Sequence, residues 1–302
     1  MMKQPFAEKV VVITGASQGI GKAMALAFAG QGASVVLVAR SVGLLEDVAQ
    51  QVRRLGAVAL PVPTDVTSPE AVSALVATIM DRFGRVDVLI NNAGLARVGA
   101  VESSTFADDA RAIMQASLFG AINVTQQVLP VMRRQGSGTV VNMSSVMGRK
   151  AIARFGAYGL VMHAISGFSD ALRQELAGTD IKVSVIYPAL TTTALLEEVD
   201  EEDMPPAFRY LTPLSVDDVA RAVVSAVRRG KRRIVIPRIV TLLLVTEAVS
   251  SRLGDLIIEG LARHRWFGWV LGLSRGQTYH QSLSTSRASI ETPEPARPID
   301  NG

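Results

Sequence analysis

Seven short apolar runs, rich in β-branched residues and separated by longer amphipathic segments, constrain the fold of this 302-residue chain most strongly. The predicted strands cover residues 10–14, 34–39, 58–60, 86–90, 138–144, 182–187 and 233–237, and the predicted helices cover 20–31, 43–55, 69–83, 106–134, 156–177 and 216–229. Strands that are apolar throughout and alternate with helices indicate a parallel sheet covered on both faces. The pattern therefore predicts an α/β fold with a doubly wound parallel sheet, Rossmann-like, in one domain over residues 1–237.

The character of the chain changes after residue 237. Residues 239–273 are apolar but interrupted by acids and arginines, so no run reaches the ~18 apolar residues of a membrane span. Two interpretations of this helical extension (238–275) stay open: helices that pack on the domain or a partner subunit, or an interfacial segment with Trp266, Phe267 and Trp269 in peripheral contact with a membrane. The polar, Pro- and Ser-rich residues 276–302 predict a disordered tail.

Composition excludes several classes of function. The 31 basic and 27 acidic residues are spread along the chain, which argues against a nucleic-acid partner. The chain has no cysteine, so disulfides and thiolate chemistry are excluded, and its three histidines lack the paired spacing of a metal site. The first residues show no secretory signal, so we expect a cytoplasmic protein.

The segment TGASQGIG, residues 14–21, follows the first predicted strand and opens the first helix. Gly15 permits a tight turn, Gly19 lets the backbone approach a pyrophosphate, and Gly21 allows close packing of the helix. The helix N-terminus adds N–H groups and a favourable dipole for an anion. This strand, turn and helix predict a dinucleotide-binding site.

The end of the second strand, LVARS, indicates which dinucleotide binds. Sites that select NAD usually place an acid here to bond the ribose 2′-hydroxyl. The chain has Ala39 instead, which does not repel a 2′-phosphate, and Arg40, which can pair with one. We therefore predict NADP(H) as the cofactor.

Several motifs in order, TGASQGIG, TDV, NNAG (91–94), VNMSS, a tyrosine and YPALTTT (187–193), resemble those of the short-chain dehydrogenase/reductase family over about residues 8–237. The resemblance implies that Asp65 and Val66 frame the adenine, that Asn92 to Gly94 line the cofactor cleft, and that Thr193 reaches the nicotinamide carboxamide. The predicted cofactor-binding residues are Gly15, Ser17, Gly19, Ile20, Gly21, Arg40, Ser41, Asp65, Val66, Asn92, Ala93, Gly94 and Thr193.

The resemblance also implies a catalytic pair and an altered tetrad. Ser145 and Tyr158 have the family's spacing between substrate-binding serine and catalytic tyrosine. The family's lysine, four residues after the tyrosine, is replaced by Met162, and its asparagine in the preceding long helix is replaced by Ser117. A tyrosine without a cation is a poor base at neutral pH but can still donate a proton. His163 should face elsewhere on the helix. Arg149, Lys150 and Arg154, in the preceding loop, are the alternatives that could supply a cation to Tyr158.

These residues lead to three hypotheses. The first is an NADP(H)-dependent oxidoreductase that reduces an apolar carbonyl, enone or imine, with Tyr158 and Ser145 contacting the substrate. The others are a cofactor-retaining, non-redox cyclase or isomerase, and a catalytically impaired relative that acts as a binding protein. Leu195, Leu196, Met204, Phe208 and Tyr210, where the family carries its substrate lid, suggest a small apolar substrate. The resemblance further implies a homodimer or homotetramer formed through the long helices.

Overall fold

A single seven-stranded parallel sheet organises the protein. The computed structural model describes residues 4–192, 205–208, 211–264, 268, 273 and 274. The strands are β1 (Val10–Thr14), β2 (Ser34–Ala39), β3 (Ala59–Pro63), β4 (Val88–Asn91), β5 (Ser137–Met143), β6 (Asp180–Pro188) and β7 (Arg233–Ile236). Their order across the sheet is β3-β2-β1-β4-β5-β6-β7. The order runs outwards from β1 in one direction and from β4 in the other, which confirms the predicted doubly wound fold.

Helices cover both faces of this sheet. On one face lie α1 (Gly19–Ala29), α2 (Val42–Arg54) and α7 (Val216–Arg229); on the other lie α3 (Pro69–Phe83), α5 (Gly120–Gln135) and α6 (Gly156–Glu175). Each face has its own core of valine, leucine and isoleucine from the strands and the facing helices. This double burial explains why the central strands are apolar at every position rather than at alternate ones.

Strand β3 extends further than the sequence predicts. It continues through Pro61 and Pro63, because it is an edge strand that pairs with β2 alone. The Thr64 N–H donates to the Ala39 carbonyl at 2.8 Å. The N–H and carbonyl groups of even-numbered residues therefore face β2. The two prolines, at odd-numbered positions, direct their nitrogens to the outer edge. No ladder hydrogen bond is lost there.

The predicted long helix 106–134 consists of three consecutive segments. Helix α4 (Phe106–Ile113) runs into a π-helical segment (Met114–Phe119), which runs into α5. A π-helical turn inserts an extra residue into the helix and often lies at a functional site. Ser117, one of the predicted site residues, lies within this turn.

A buried carboxylate ties β1 to the turn before β4. Asp87 accepts hydrogen bonds from Lys9 Nζ (3.0 Å), Arg85 Nη2 (2.6 Å) and the Val10 N–H (3.0 Å). Burial raises the pKa of Asp87, but the hydrogen bonds from Arg85, Val10 and Lys9 outweigh it and leave the pKa below its usual value. The carboxylate is therefore ionised and fully partnered at neutral pH.

Two further helices, α8 (Val240–Val249) and α9 (Ser251–Arg263), follow β7. Lys150 holds both, with its Nζ 2.9 Å from Glu247 Oε2 and 2.7 Å from Asp255 Oδ1. None of the helices in the described ranges is long and apolar enough to cross a membrane. Trp266, Phe267 and Trp269 and the tail 276–302 lie outside the described residues.

Candidate active site

The glycines of TGASQGIG form a tight cradle between β1 and α1. Gly15 and Gly19 have positive φ angles of 65° and 54°, a conformation that side chains with a Cβ rarely adopt. A Cβ at Gly21 would clash with the Gly15 carbonyl oxygen, so the helix packs against the turn only because Gly21 has no side chain. Gln18, the N-cap of α1, makes no side-chain cap. The first N–H groups of α1 are thus left for an anion, and the cradle fits a pyrophosphate.

The NNAG segment is fixed against this cradle by hydrogen bonds from Thr14. The Thr14 hydroxyl accepts from the N–H groups of Asn92 and Ala93, both at 2.9 Å. In return, Asn92 Nδ2 donates to the carbonyls of Thr14 (3.0 Å) and Gly15 (3.2 Å). The ends of β1 and β4 therefore form one rigid unit at the carboxyl edge of the sheet, where ligands bind in this type of fold.

The predicted adenine and 2′-phosphate residues lie at the neighbouring ends of β2 and β3. Arg40 is exposed, and no carboxylate of the described residues lies within 4.0 Å of it. Asp65 accepts hydrogen bonds from the Thr67 N–H (2.9 Å) and hydroxyl (2.8 Å). These bonds lower the pKa of Asp65, and the charge of Arg40 lowers it further. Val66 is buried next to Asp65, while Ser41 forms the N-cap of α2.

A cavity of about 270 Å³ lies beyond the carboxyl ends of the strands. Of the side chains that line it in the described part of the molecule, none is charged. The structure brings ten of the predicted site residues to this cavity: Gly19, Ile20, Gly21, Asn92, Ala93, Gly94, Ser117, Ser145, Tyr158 and Met162. Gly15 and Ser17 lie in the adjoining turn, and Thr193 lies outside the described residues.

Tyr158 and Ser145 both lie on the cavity wall. Tyr158 lies in the first turn of α6, and Ser145 follows β5. The Ser145 hydroxyl oxygen accepts from the Met147 N–H at 3.2 Å and lies 3.4 Å from the Pro188 carbonyl. Burial raises the pKa of Tyr158 to about 12, although the hydrogen bond with Ser145 acts in the opposite direction. The phenol therefore stays protonated across the physiological pH range.

Met162 and Ser117 lie close to this pair and are almost completely buried, with exposures of 4% and 3%. The Ser117 hydroxyl accepts a hydrogen bond from the Leu95 N–H at 3.1 Å. A Cβ at Gly94 would lie 3.0 Å from the same hydroxyl oxygen, so the NNAG loop and the π-helical turn are in close contact. The Met162 carbonyl accepts hydroxyl hydrogen bonds from Ser144 and Ser166, both at 3.0 Å. The Met162 side chain is thereby held at the cavity wall.

The candidate cations near Tyr158 are placed elsewhere. Lys150 pairs with Glu247 and Asp255, and His163 is exposed, with its Nδ1 2.8 Å from the Gly159 carbonyl. None of Arg149, Lys150, Arg154 and His163 lines the cavity.

Most of the apolar wall of the cavity is not predicted from the sequence. It is formed by side chains from five separate segments: Leu95, Met147, Phe155, Leu190 and Phe208. Phe155 packs against the rings of Tyr158 and Phe208, with centroid distances of 6.1 and 5.9 Å. Phe208 was predicted as part of the lid, whereas Leu195, Leu196, Met204 and Tyr210 lie outside the described residues. Loop positions carry no periodic signal. Only Phe155, directly before α6, lies at a position from which a place in the cavity wall could be predicted.

Comparisons with known proteins agree with this geometry. A family model described as short chain dehydrogenase matches residues 9–204. The ketoacyl reductase HetN of Nostoc sp. is 33% identical over 268 residues, which cover 87% of this chain and 90% of that protein.

Two solved structures are similar to the whole domain. The L-sorbose reductase of Gluconobacter frateurii, complexed with NADPH and L-sorbose, is 27% identical with a TM-score of 0.69, covering 78% of this chain and 97% of its own. A short chain dehydrogenase/reductase from Burkholderia phymatum, in complex with NAD, is 27% identical with a TM-score of 0.73, covering 84% and 96%. Sequence, fold and site geometry together show that this chain belongs to the short-chain dehydrogenase/reductase family of oxidoreductases.

Proposed function

We propose that this protein is an NADP(H)-dependent reductase with an altered catalytic site, acting on a small apolar substrate with a carbonyl, enone or imine group. The observation that carries the proposal is the pairing of the Tyr158 and Ser145 hydroxyls in a cavity whose described lining has no charged side chain. Two hydroxyls next to a dinucleotide cradle can bind and polarise an electrophilic double bond.

The cofactor part of the proposal is supported by the shape and charge of its cradle. A nicotinamide cofactor, when bound, supplies the hydride for reduction. The glycine turn and the start of α1 would hold its pyrophosphate, and Asp65 and Val66 would frame its adenine. Arg40, exposed beside the uncharged Ala39 and without a carboxylate within 4.0 Å in the described part of the chain, would pair with a 2′-phosphate. Ser41 at the start of α2 would add a hydroxyl to the same group.

The direction of the reaction follows from the protonation state of Tyr158. With a pKa of about 12, the phenol is a hydrogen-bond donor or acid rather than a base. The family resemblance assigns the removal of this proton to a lysine and a water held by an asparagine, and Met162 and Ser117 stand at those two positions. Reduction, in which Tyr158 donates, is therefore favoured over alcohol oxidation, in which it must accept a proton.

The substrate class follows from the side chains around the two hydroxyls. Phe155, Phe208, Leu190 and Met147 are all in contact in one apolar cluster. Such a wall stabilises a ring or alkyl chain by burial, at about 25 cal/mol per Å² of apolar area. These four side chains offer no hydrogen-bonding or charged group to a sugar or a charged acid. We therefore propose an apolar substrate.

Purified protein incubated with NADPH and a panel of apolar ketones, enones and imines tests this function. We expect oxidation of NADPH with at least one class, and a loss of at least about 100-fold in kcat/KM for Tyr158→Phe. Arg40→Ala should weaken NADPH binding by about tenfold and leave NADH binding unchanged. Tight NADPH binding with no hydride transfer to any substrate would refute the proposed reaction, and product formation without NADPH consumption would point to isomerisation or cyclisation.

We further propose that this cytoplasmic enzyme works as a homodimer or homotetramer through its long helices. Phe119, beside the start of α5, and Leu160, in α6, are 44% and 47% exposed. Large apolar side chains on adjacent helices are often covered by another subunit. Light scattering of Leu160→Glu should show a smaller mass than the unmodified chain, and an unchanged mass would exclude this face.

A further inference from the structure

Helix α8 is apolar on most of its surface, including the side that is turned outwards. Glu247 is the one charged residue among Val240–Val249, and it lies towards the protein, with its Oε2 2.9 Å from Lys150 Nζ. On the opposite side, Leu242, Val245 and Val249 are 58%, 52% and 77% exposed. These residues are spaced i, i+3 and i+7, so they share one face. A surface helix in a monomeric protein normally turns polar residues outwards.

The apolar face of α8 continues onto its neighbours. Of the 13 large apolar side chains that are exposed in the described residues, six lie between positions 239 and 256. We call these six residues the apolar platform: Ile239, Leu242, Val245, Val249, Leu253 and Leu256. Exposed apolar side chains concentrated in one stretch of the chain mark a binding surface rather than ordinary solvent exposure.

The charges around the platform identify what covers it. Arg238 and Arg252 are exposed, lie directly before and shortly after α8, and have no carboxylate within 4.0 Å in the described part of the chain. Glu259 pairs with Arg263, whereas Glu247 and Asp255 share the single charge of Lys150. With Arg238 and Arg252, four cations stand against three acids, a net charge of +1. The uncompensated charge at both ends is therefore positive. Anionic lipid headgroups would neutralise Arg238 and Arg252.

The inner side of the same helices reaches the active site. Ile257, Ile258 and Leu261 of α9 belong to the apolar cluster that contains Phe208 and Leu190, which line the cavity. Helix α9, which carries Leu253 and Leu256 of the platform, is thus packed against the wall of the cavity.

We infer that residues 238–256 dock in the plane of an anionic lipid bilayer surface, with the apolar platform in the acyl boundary and Arg238 and Arg252 at the headgroups. Docking by an apolar face with a basic rim is the arrangement of helices that lie in the membrane interface. It would place the cavity next to a store of apolar molecules.

Co-sedimentation of the full chain with lipid vesicles, without cofactor or substrate, tests this inference separately from the proposed reaction. The vesicles contain phosphatidylcholine alone, or phosphatidylcholine with an equal amount of phosphatidylglycerol. We expect stronger binding to the anionic vesicles, and at least about tenfold weaker partitioning for Leu242→Glu/Val249→Glu. The matched control, Leu55→Glu/Val58→Glu, changes two exposed apolar residues far from the platform, which are 53% and 44% exposed, and should bind like the unmodified chain.

Two results would overturn the inference. One is equal sedimentation of the unmodified chain and Leu242→Glu/Val249→Glu with anionic vesicles. The other is no vesicle binding together with a smaller mass of that variant in light scattering, which would make the platform a subunit interface. Arg238→Gln/Arg252→Gln separates the electrostatic part: its binding to anionic vesicles should fall to the level seen with phosphatidylcholine alone. All three double variants concern exposed positions, so circular dichroism should show unchanged folding.

Discussion

Met162→Lys tests whether a cation at position 162 changes the protonation of Tyr158. Residues 158 and 162 are separated by one turn of α6, which places their Cβ atoms about 5–6 Å apart. In the present chain, burial without a neighbouring charge raises the pKa of Tyr158 to about 12. An ammonium at position 162 would favour the phenolate. Met162 lines the same cavity, so the new side chain has space to reach the phenol oxygen.

The expected size of the effect follows from the pKa. At a pKa of about 12, roughly one molecule in 10,000 carries the phenolate at pH 8. A cation within about 4–6 Å lowers the pKa of an acid by about 1–3 units, which raises the phenolate fraction at pH 8 by about 10- to 1,000-fold. The pH above which NADP⁺-dependent oxidation of the product alcohol accelerates should fall by the same 1–3 units.

The assay is an ultraviolet titration of the phenolate, with the matching Tyr158→Phe variant subtracted from each protein. Met162→Leu serves as the control, because it keeps the site apolar and should leave the titration unchanged. The chain has no cysteine. Met162→Cys can therefore be folded first and then alkylated with bromoethylamine, which adds the ammonium even if Met162→Lys fails to fold.

Two results would refute this reasoning. A Tyr158 phenolate that titrates at or below pH 10 in the unmodified chain would mean that another group already supplies the charge. An unchanged titration in folded Met162→Lys and in the alkylated cysteine variant would mean that the helical spacing does not bring the two groups together.

Three further changes probe the scaffold. Asp87→Asn should lower the free energy of unfolding at pH 7 by about 2–4 kcal/mol, because two cations lose a buried partner. The pKa of Asp87 is lower in the folded than in the unfolded state, so its contribution to stability is present above the unfolded pKa of about 3.9 and is lost as the pH falls below that value. Urea titrations at several pH values should therefore show that the stabilities of Asp87→Asn and the unmodified chain converge in acid. Gly21→Ala should abolish measurable NADPH binding by fluorescence, because its Cβ would clash with the Gly15 carbonyl; binding like the unmodified chain would contradict the cradle. Lys150→Met should speed hydrogen exchange in α8 and α9, and Arg149→Met, at an exposed position, should not.

The sheet was predictable because its strands obey one simple rule. A central strand of a doubly wound sheet is buried on both faces, so β1, β2 and β5 appear as apolar runs whose limits the sequence marks within one residue or so. The same rule fails for β3, where the half-buried Pro61 and the exposed Pro63 interrupt the run. Its edge position, which decides that they are tolerated, is a property of the whole sheet.

The active site was predictable only in part. The glycine turn and the Ser145–Tyr158 spacing are local patterns, and the structure brings both to one cavity. The apolar wall could not be predicted, because Leu95, Phe155 and Leu190 come together only when the carboxyl ends of distant strands are aligned. The outward apolar face of α8 was also hidden, since only the Lys150 contact shows which side of the helix faces inwards.

The prolines of β3 also affect how the chain avoids association during folding. An exposed sheet edge with N–H and carbonyl groups in a row is a template for strands from other chains. Pro61 and Pro63 remove the outward N–H groups at two successive edge positions. A partly folded molecule in which β1 to β3 have already paired therefore presents a blocked edge on that side. The extra length of β3 thus protects the growing sheet against aggregation while the remaining strands are still being added.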